Sequence, residues 1–221
     1  MMNHRESDTH IPAVLATDAL SCRYGTTVAV RDATLVVRAG EHIALIGGNG
    51  SGKTTFLRAV MGFHREYSGH IAIGGRTVPS RGNHPWVYRA IAWMPQRQAT
   101  GAFPLLVHEL LDSSLDPVAA RQAAIDLAME PFLTRNLSTL SGGQLQRVFL
   151  SRALGSLTGG AQLLVADEPT AALDFAGQQA MARLLTESAQ TMLVVTHDRA
   201  LIERCDRVYE MAGGQMREVQ R

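Results

Sequence analysis

The chain lacks several things that would have decided its class at once. Its 221 residues hold no apolar run near the ~20 needed to cross a bilayer; stretches such as Leu163 to Ala166 and Met192 to Val195 are far shorter. The chain is therefore expected not to span a membrane by itself. Only two cysteines occur, Cys22 and Cys205, which excludes a disulfide scaffold and suits a reducing compartment. The net charge is +1, so there is no strong field for nucleic acid or an anionic lipid surface, and no nucleic-acid partner is expected. Met1 to His10 is polar, without an apolar segment and small-residue cleavage site, and predicts no secretory signal.

What is present is enough chain for one large core with an inserted lobe. Residues 1 to 12 are expected to form a mobile leader whose His4 and His10 are solvated, and 13 to 221 a single α/β domain. Val14 to Val78 is β-rich, with Val28 to Val37 and His70 to Ile73 as candidate strands. His42 to Ile46, Ala90 to Met94, Leu163 to Ala166 and Met192 to Thr196 are short apolar runs followed at once by polar residues, the pattern of buried parallel strands. Chemistry should therefore lie along the C-terminal edge of one sheet. Between about 98 and 145 the spacing turns helical, interrupted by Pro104, Pro117 and Pro131, which predicts an inserted helical lobe.

Gly47-Gly48-Asn49-Gly50-Ser51-Gly52-Lys53-Thr54 matches G-x-x-x-x-G-K-[ST] in full, after a strand and before the apolar positions Phe56, Leu57, Val60 and Met61. Glycines let successive N–H groups converge on phosphates at a helix N-terminus. Lys53 then reaches the β- and γ-phosphates of a nucleotide, and the Thr54 hydroxyl ligates Mg²⁺. Leu163 to Glu168 is an apolar strand ending in an acidic pair, which places Asp167 on the Mg²⁺ shell and Glu168 towards an attacking water. An acidic pair before Pro169 also suits a helix cap; the glycine loop in the same chain favours the nucleotide site. Gln96 and His197 sit at two further strand ends, where the first can touch Mg²⁺ or water and the second the γ-phosphate.

A second glycine pair poses a separate question. In Leu140-Ser141-Gly142-Gly143-Gln144, serine and glutamine have capping-box spacing, and Leu145, Val148, Phe149 and Leu154 form an apolar helix face. A cap does not require two glycines, which cost up to about 2 kcal/mol relative to alanine in a helix. Close approach of another molecule's phosphate would account for them.

Taken in order, Tyr24, Gly47 to Thr54, Gln96, Leu140 to Gln144, Asp167-Glu168, Leu173-Asp174 and His197 resemble the A-loop, Walker A, Q-loop, signature, Walker B, D-loop and H-loop of ABC-type ATPases. The resemblance runs from about residue 14 to 215. It implies a P-loop core with an N-terminal antiparallel β-subdomain and a helical lobe. It also implies a head-to-tail dimer that sandwiches ATP and Mg²⁺ between one subunit's P-loop, with Thr55 at its end, and the other's signature segment. In that scheme Tyr24 stacks on adenine, and Ser141 and Gly143, with Gly142 and Gln144 beside them, bind the partner's γ-phosphate. Lys53, Gln96, Glu168 and His197 serve hydrolysis, Thr54, Gln96 and Asp167 hold the metal, and Asp174 couples the two sites. Two departures stand out: Gly48, where many relatives carry proline, and Ala171-Ala172, where serine-alanine is common.

The resemblance further implies a subunit at the cytoplasmic face of a membrane, driving permease chains and served by a solute-binding protein outside. A soluble ABC ATPase acting on ribosomes or DNA is the alternative; it usually has two fused domains or a long coiled coil, and no sustained heptads occur here. For cargo, Pro95-Gln96-Arg97 followed by Phe103 to Leu111 is similar to the Q-loop region of zinc and manganese importers, which makes a divalent metal ion the favoured cargo and another import or export substrate the alternative. His64, His70 and His84 lack paired ligand spacing and are expected to be surface histidines.

Overall fold

The computed structural model of the chain describes residues 13–80, 84–96 and 105–220. It starts with a long hairpin, β1 (Ala13–Tyr24) and β2 (Thr27–Arg38), then β3 (His42–Ile46) and α1 (Lys53–Val60), then β4 (Tyr67–Ile73) and β5 (Arg76–Thr77). Next come α2 (Pro85–Ala90), β6 (Ile91–Met94), α3 (Val107–Asp112), α4 (Pro117–Asp126) and α5 (Gly142–Thr158). The chain ends in β7 (Leu163–Asp167), α6 (Phe175–Ser188), β8 (Met192–Val195), α7 (Arg199–Ile202), β9 (Arg207–Ala212) and β10 (Gln215–Val219).

Two sheets result. One is antiparallel, in the order β2-β1-β4-β5; the other has the order β10-β9-β3-β8-β7-β6. In the second, β3 pairs parallel with β8 and β9, and β7 pairs parallel with β6 and β8. The four apolar runs are therefore parallel neighbours, as their sequence implies. Both faces of this sheet are covered. Val165 and Leu163 of β7 join Phe56, Leu57 and Ile43 in the core shared with the antiparallel sheet, while Leu164 and Ala166 join Met181, Leu185 and Leu201 on the opposite side. Every residue of β7 is buried, so alternation of side chains between two cores replaces alternation of polarity.

β1 was hard to see in the sequence because it is irregular. Its pairing shifts register between Asp18 and Ser21, and Ala19 has φ +46°, a bulge that breaks the in-out pattern. The carboxyl-terminal hairpin turns on Gly213 and Gly214, at φ +55° and +82°, the two-residue turn that matches strand twist.

The helical lobe has its own core of Val107, Leu111, Ala120, Ala124, Met129, Leu137 and Val148. Asp116 caps α4 by accepting the Ala119 N–H at 2.9 Å, with Pro117 in the first turn. α5 belongs to both cores: Val148 packs in the lobe, and Leu150 and Ala153 pack under the sheet. Of the predicted apolar face, Val148 is buried, whereas Leu145, Phe149 and Leu154 are half-buried against those cores. One helix thus carries the signature segment at its first turn and anchors in the sheet domain at its last.

Candidate functional site

The glycine loop leaves the carboxyl end of β3 and winds between two neighbours. Gly47 has φ +144°, and a Cβ there would lie 2.1 Å from the Met211 carbonyl oxygen; at Gly52, φ +110°, it would lie 2.4 Å from the Ala29 carbonyl oxygen. Only glycine satisfies both the torsion and the space. α1 begins at once, with Phe56 N–H bonded to the Gly52 carbonyl at 2.9 Å. Lys53 is only 8% exposed, and its Nζ donates to the carbonyls of Gly47 at 2.5 Å and Gly48 at 2.9 Å. The cation is held inside the curl of its own loop, at the mouth of a cavity of about 190 Å³.

That cavity gathers most of the residues expected from the sequence. Asn49, Gly50, Ser51, Gly52, Lys53, Thr54 and Thr55 line one side, and Gln96, Asp167 and Glu168 the other. Gly47 and Gly48 contribute through the carbonyls that hold Lys53. Asp167 is 3% exposed and its carboxyl is pushed up to about 6, first by burial and then by the charge of Glu168; Lys53, a hydrogen bond from Thr54, and Arg58 pull the other way. Two adjacent buried carboxyls beside the hydroxyl of Thr54 and the amide of Gln96 form an oxygen-rich donor set, and a divalent cation would relieve the charge that holds the Asp167 proton. The residues present therefore fit Mg²⁺.

Glu168 has φ +49°, a left-handed conformation unusual for a residue with a side chain, and is held there by its N–H bond to the Val195 carbonyl at 2.8 Å. Its Oε1 lies 3.3 Å from His197 Nε2. A second, wider cavity of about 620 Å³ shares Asn49, Gln96 and Glu168 with the first and adds His197. The strand-end histidine thus lies beside Glu168, the outer member of the acidic pair.

Other expected residues lie elsewhere. Tyr24 ends β1, is 48% exposed, and is not among the residues lining either cavity; its ring centroid is 4.7 Å from that of His64. His64 is a correction: it is 7% exposed, packed under Tyr24, with Nε2 3.1 Å from the Glu66 carbonyl, rather than a surface histidine. His70 is exposed, and His84 is half-buried with Nε2 2.9 Å from the Pro79 carbonyl. Asp174 caps α6 by accepting the Gly177 N–H at 2.9 Å. Arg97 and Phe103, part of the cargo reading, lie outside the described residues, as do His4 and His10.

Ser141 and Gln144 form the predicted capping box: Gln144 N–H donates to Ser141 Oγ at 3.3 Å, and Ser141 N–H to Gln144 Oε1 at 2.9 Å. None of Ser141, Gly142, Gly143 and Gln144 lines a cavity at the glycine loop. Sequence reasoning missed Ala29 and Met211, whose carbonyls confine the loop, because nothing local marks two residues brought in from other strands.

A strand-loop-helix phosphate cradle, a buried carboxylate pair at a parallel strand end and an inserted helical lobe define a nucleotide-hydrolysing P-loop domain with a second lobe. A family model described as ABC transporter matches residues 30–171. The chain belongs to this family and is an ATP-hydrolysing transport subunit. It is 34% identical over 209 residues to the zinc transport system ATP-binding protein TroB of Treponema pallidum (strain Nichols), covering 86% of this chain and 75% of that protein. It is 33% identical to the hemin import ATP-binding protein HmuV of Rhodopseudomonas palustris (strain ATCC BAA-98 / CGA009), covering 82% and 73%. A dimeric bacterial ABC transporter cassette shares the fold with a TM-score of 0.78 at 24% identity, covering 93% of this chain and 98% of that one. Among the described residues, no helix is long and apolar enough to cross a membrane.

Proposed function

We propose that the chain works as one half of a head-to-tail ATP sandwich at the cytoplasmic face of a membrane. Membrane permease subunits on separate chains would receive its motion, an extracytoplasmic solute-binding protein would deliver the cargo, and a divalent metal ion such as zinc or manganese is the favoured cargo. The observation that supports the dimer is a separation within one chain. The cradle, Asp167 and Glu168 share a cavity, while Ser141 to Gln144 sit on the lobe and line neither cavity there. A second copy, turned to bring its signature segment over the first copy's nucleotide, gives those residues a ligand.

In this reading Lys53 exchanges its hold on the carbonyls of Gly47 and Gly48 for the β- and γ-phosphates. Thr54, Gln96 and Asp167 supply oxygen ligands for Mg²⁺, which when bound neutralises charge on the phosphate oxygens. Glu168, already aimed by its backbone, accepts a proton from water, and His197, 3.3 Å away, steadies the carboxylate and the γ-phosphoryl. Tyr24 offers an exposed ring to adenine, supported from beneath by His64. The Ser141 hydroxyl and the N–H groups at the start of α5 face the partner's γ-phosphate. The similarity to TroB and the Gln96-Arg97 to Phe103 sequence support a metal cargo. The similarity to HmuV supports hemin as the second reading.

Glu168→Gln tests the reading in two places. In ATP and Mg²⁺ the purified variant should bind nucleotide, turn over very slowly and elute as a dimer on size exclusion. Placed in cells instead of the wild type, it should stall transport and lower cellular zinc or manganese. A variant that stays monomeric and hydrolyses ATP at the normal rate removes the sandwich; unchanged zinc and manganese with falling haem moves the cargo to hemin.

A further inference from the structure

The two glycines that open α5 meet an obstacle inside their own chain. A Cβ built on Gly142 comes 3.0 Å from Ala172 Cβ, and one on Gly143 comes 3.1 Å from Leu173 Cδ2. Ala172 and Leu173 lie in the turn that follows the acidic strand. That turn is tied down: Ala171 N–H bonds to the Glu168 carbonyl at 3.2 Å, Leu173 N–H to the Thr170 carbonyl at 3.1 Å, and Asp174 caps α6. Carbon atoms prefer about 3.5–4.0 Å, so both contacts would be repulsive. The two neighbours differ in how they can yield. The Leu173 methyl can swing away on its own rotamers, whereas Ala172 Cβ has none and moves only with the backbone.

We propose that Ala172 is a positioning residue, seated on the bare backbone of Gly142 and registering the signature end of α5 against the turn that carries Glu168. The consequence for catalysis rests on the dimer reading, in which the signature segment serves the partner's ATP. The contact then joins two sites: Glu168 acts on this subunit's nucleotide, and Gly142, linked to it through Ala171 and Ala172, belongs to the clamp on the other. Packed atoms transmit small displacements because their neighbours cannot be compressed. This gives Gly142 a reason to be glycine that is independent of the phosphate, and the two reasons can be separated.

The separating experiment is a rescue cycle in steady-state MgATP hydrolysis, with kcat and KM resolved for Gly142→Ala, Ala172→Gly and the double variant. Gly142→Ala should lower kcat about tenfold, equivalent to ~1.4 kcal/mol, with a smaller change in KM. Adding Ala172→Gly should bring kcat back to within about threefold of wild type, a coupling that only touching residues show. The strain of the contact and the gain from alanine as a better helix former oppose each other, so the melting temperature should stay within about 4 °C of wild type while the rate falls. Ala172→Val, which grows from the opposite side with Gly142 intact, should reproduce the loss of kcat. A Gly142→Ala protein with wild-type kcat would overturn the seat, and so would a loss that Ala172→Gly leaves untouched, since phosphate approach alone would then explain the glycine. Dimer formation by Glu168→Gln in ATP is scored beside it: failure there removes the pairing, whereas a missing rescue in a chain that still dimerises removes the seat alone.

Discussion

Replacing Glu168 by glycine should stabilise the protein while destroying its activity, and both halves follow from the backbone. Glu168 sits at φ +49°. A residue with a side chain pays about 1–2 kcal/mol in that conformation, and glycine does not. Against this, glycine loses more freedom on folding, about 0.5–1 kcal/mol. The backbone balance favours the variant by about 0–1.5 kcal/mol, or up to about 6 °C of melting temperature for a domain of this size. An electrostatic part adds a pH signature. Asp167 is raised from 3.8 to about 6, so the folded state holds a proton that the unfolded state releases; stability falls as pH rises through that window and stays lower above it. Burial, the larger cause, remains in the variant, but the charge of Glu168, the second cause, is gone. The gain should therefore be larger at pH 8, where Asp167 is ionised, than at pH 4. Thermal melts without nucleotide at the two pH values read this directly, and, with the proposed general base gone, ATP turnover should fall about 10²–10⁴-fold. A variant melting below wild type at pH 8, or one with equal shifts at both pH values, would refute the reasoning.

Two further substitutions probe the cradle. Gly48 is outside the left-handed region and a Cβ there meets nothing within 4 Å, so Gly48→Ala should gain about 0.4–1 kcal/mol in denaturant melts by restricting the unfolded chain. A loss of stability would mean that the loop needs freedom at this position. Lys53→Ala removes an ammonium that is 8% exposed and already converges on the cradle; at about 1.5–3 kcal/mol for a hydrogen bond to a charged group, affinity for MgATP should fall at least ~10-fold in a fluorescence titration. Affinity within about twofold of wild type would take Lys53 off the phosphates.

The parts of the site legible in the sequence are those that a continuous segment must contain. Gly47 to Thr54 needs its glycines because one stretch of backbone must curl on itself, and Leu163 to Glu168 needs an apolar strand ending in acid because one strand carries the carboxylates into the core. The four parallel strands were visible for a related reason: burial on both faces leaves an uninterrupted apolar run. β1 was obscured by its bulge, and the burial of His64 could not be inferred, since the lid is Tyr24 from a different strand.

The sequence by itself determined the local pieces: a glycine-rich loop opening a helix, an apolar strand ending in two carboxyls, and a capped helix with two unexplained glycines. These are local requirements of torsion, charge and periodicity, and they leave their mark on consecutive residues. Tertiary structure decided which of those pieces meet. It brought Gln96, Asp167, Glu168 and His197 from three strand ends to the cradle, kept Ser141 to Gln144 out of it, and set Ala172 against Gly142. The reason is that such contacts depend on where the chain returns after long excursions, and a packing so close that a Cβ on residue 142 would come 3.0 Å from that of residue 172 leaves no periodic trace in either segment.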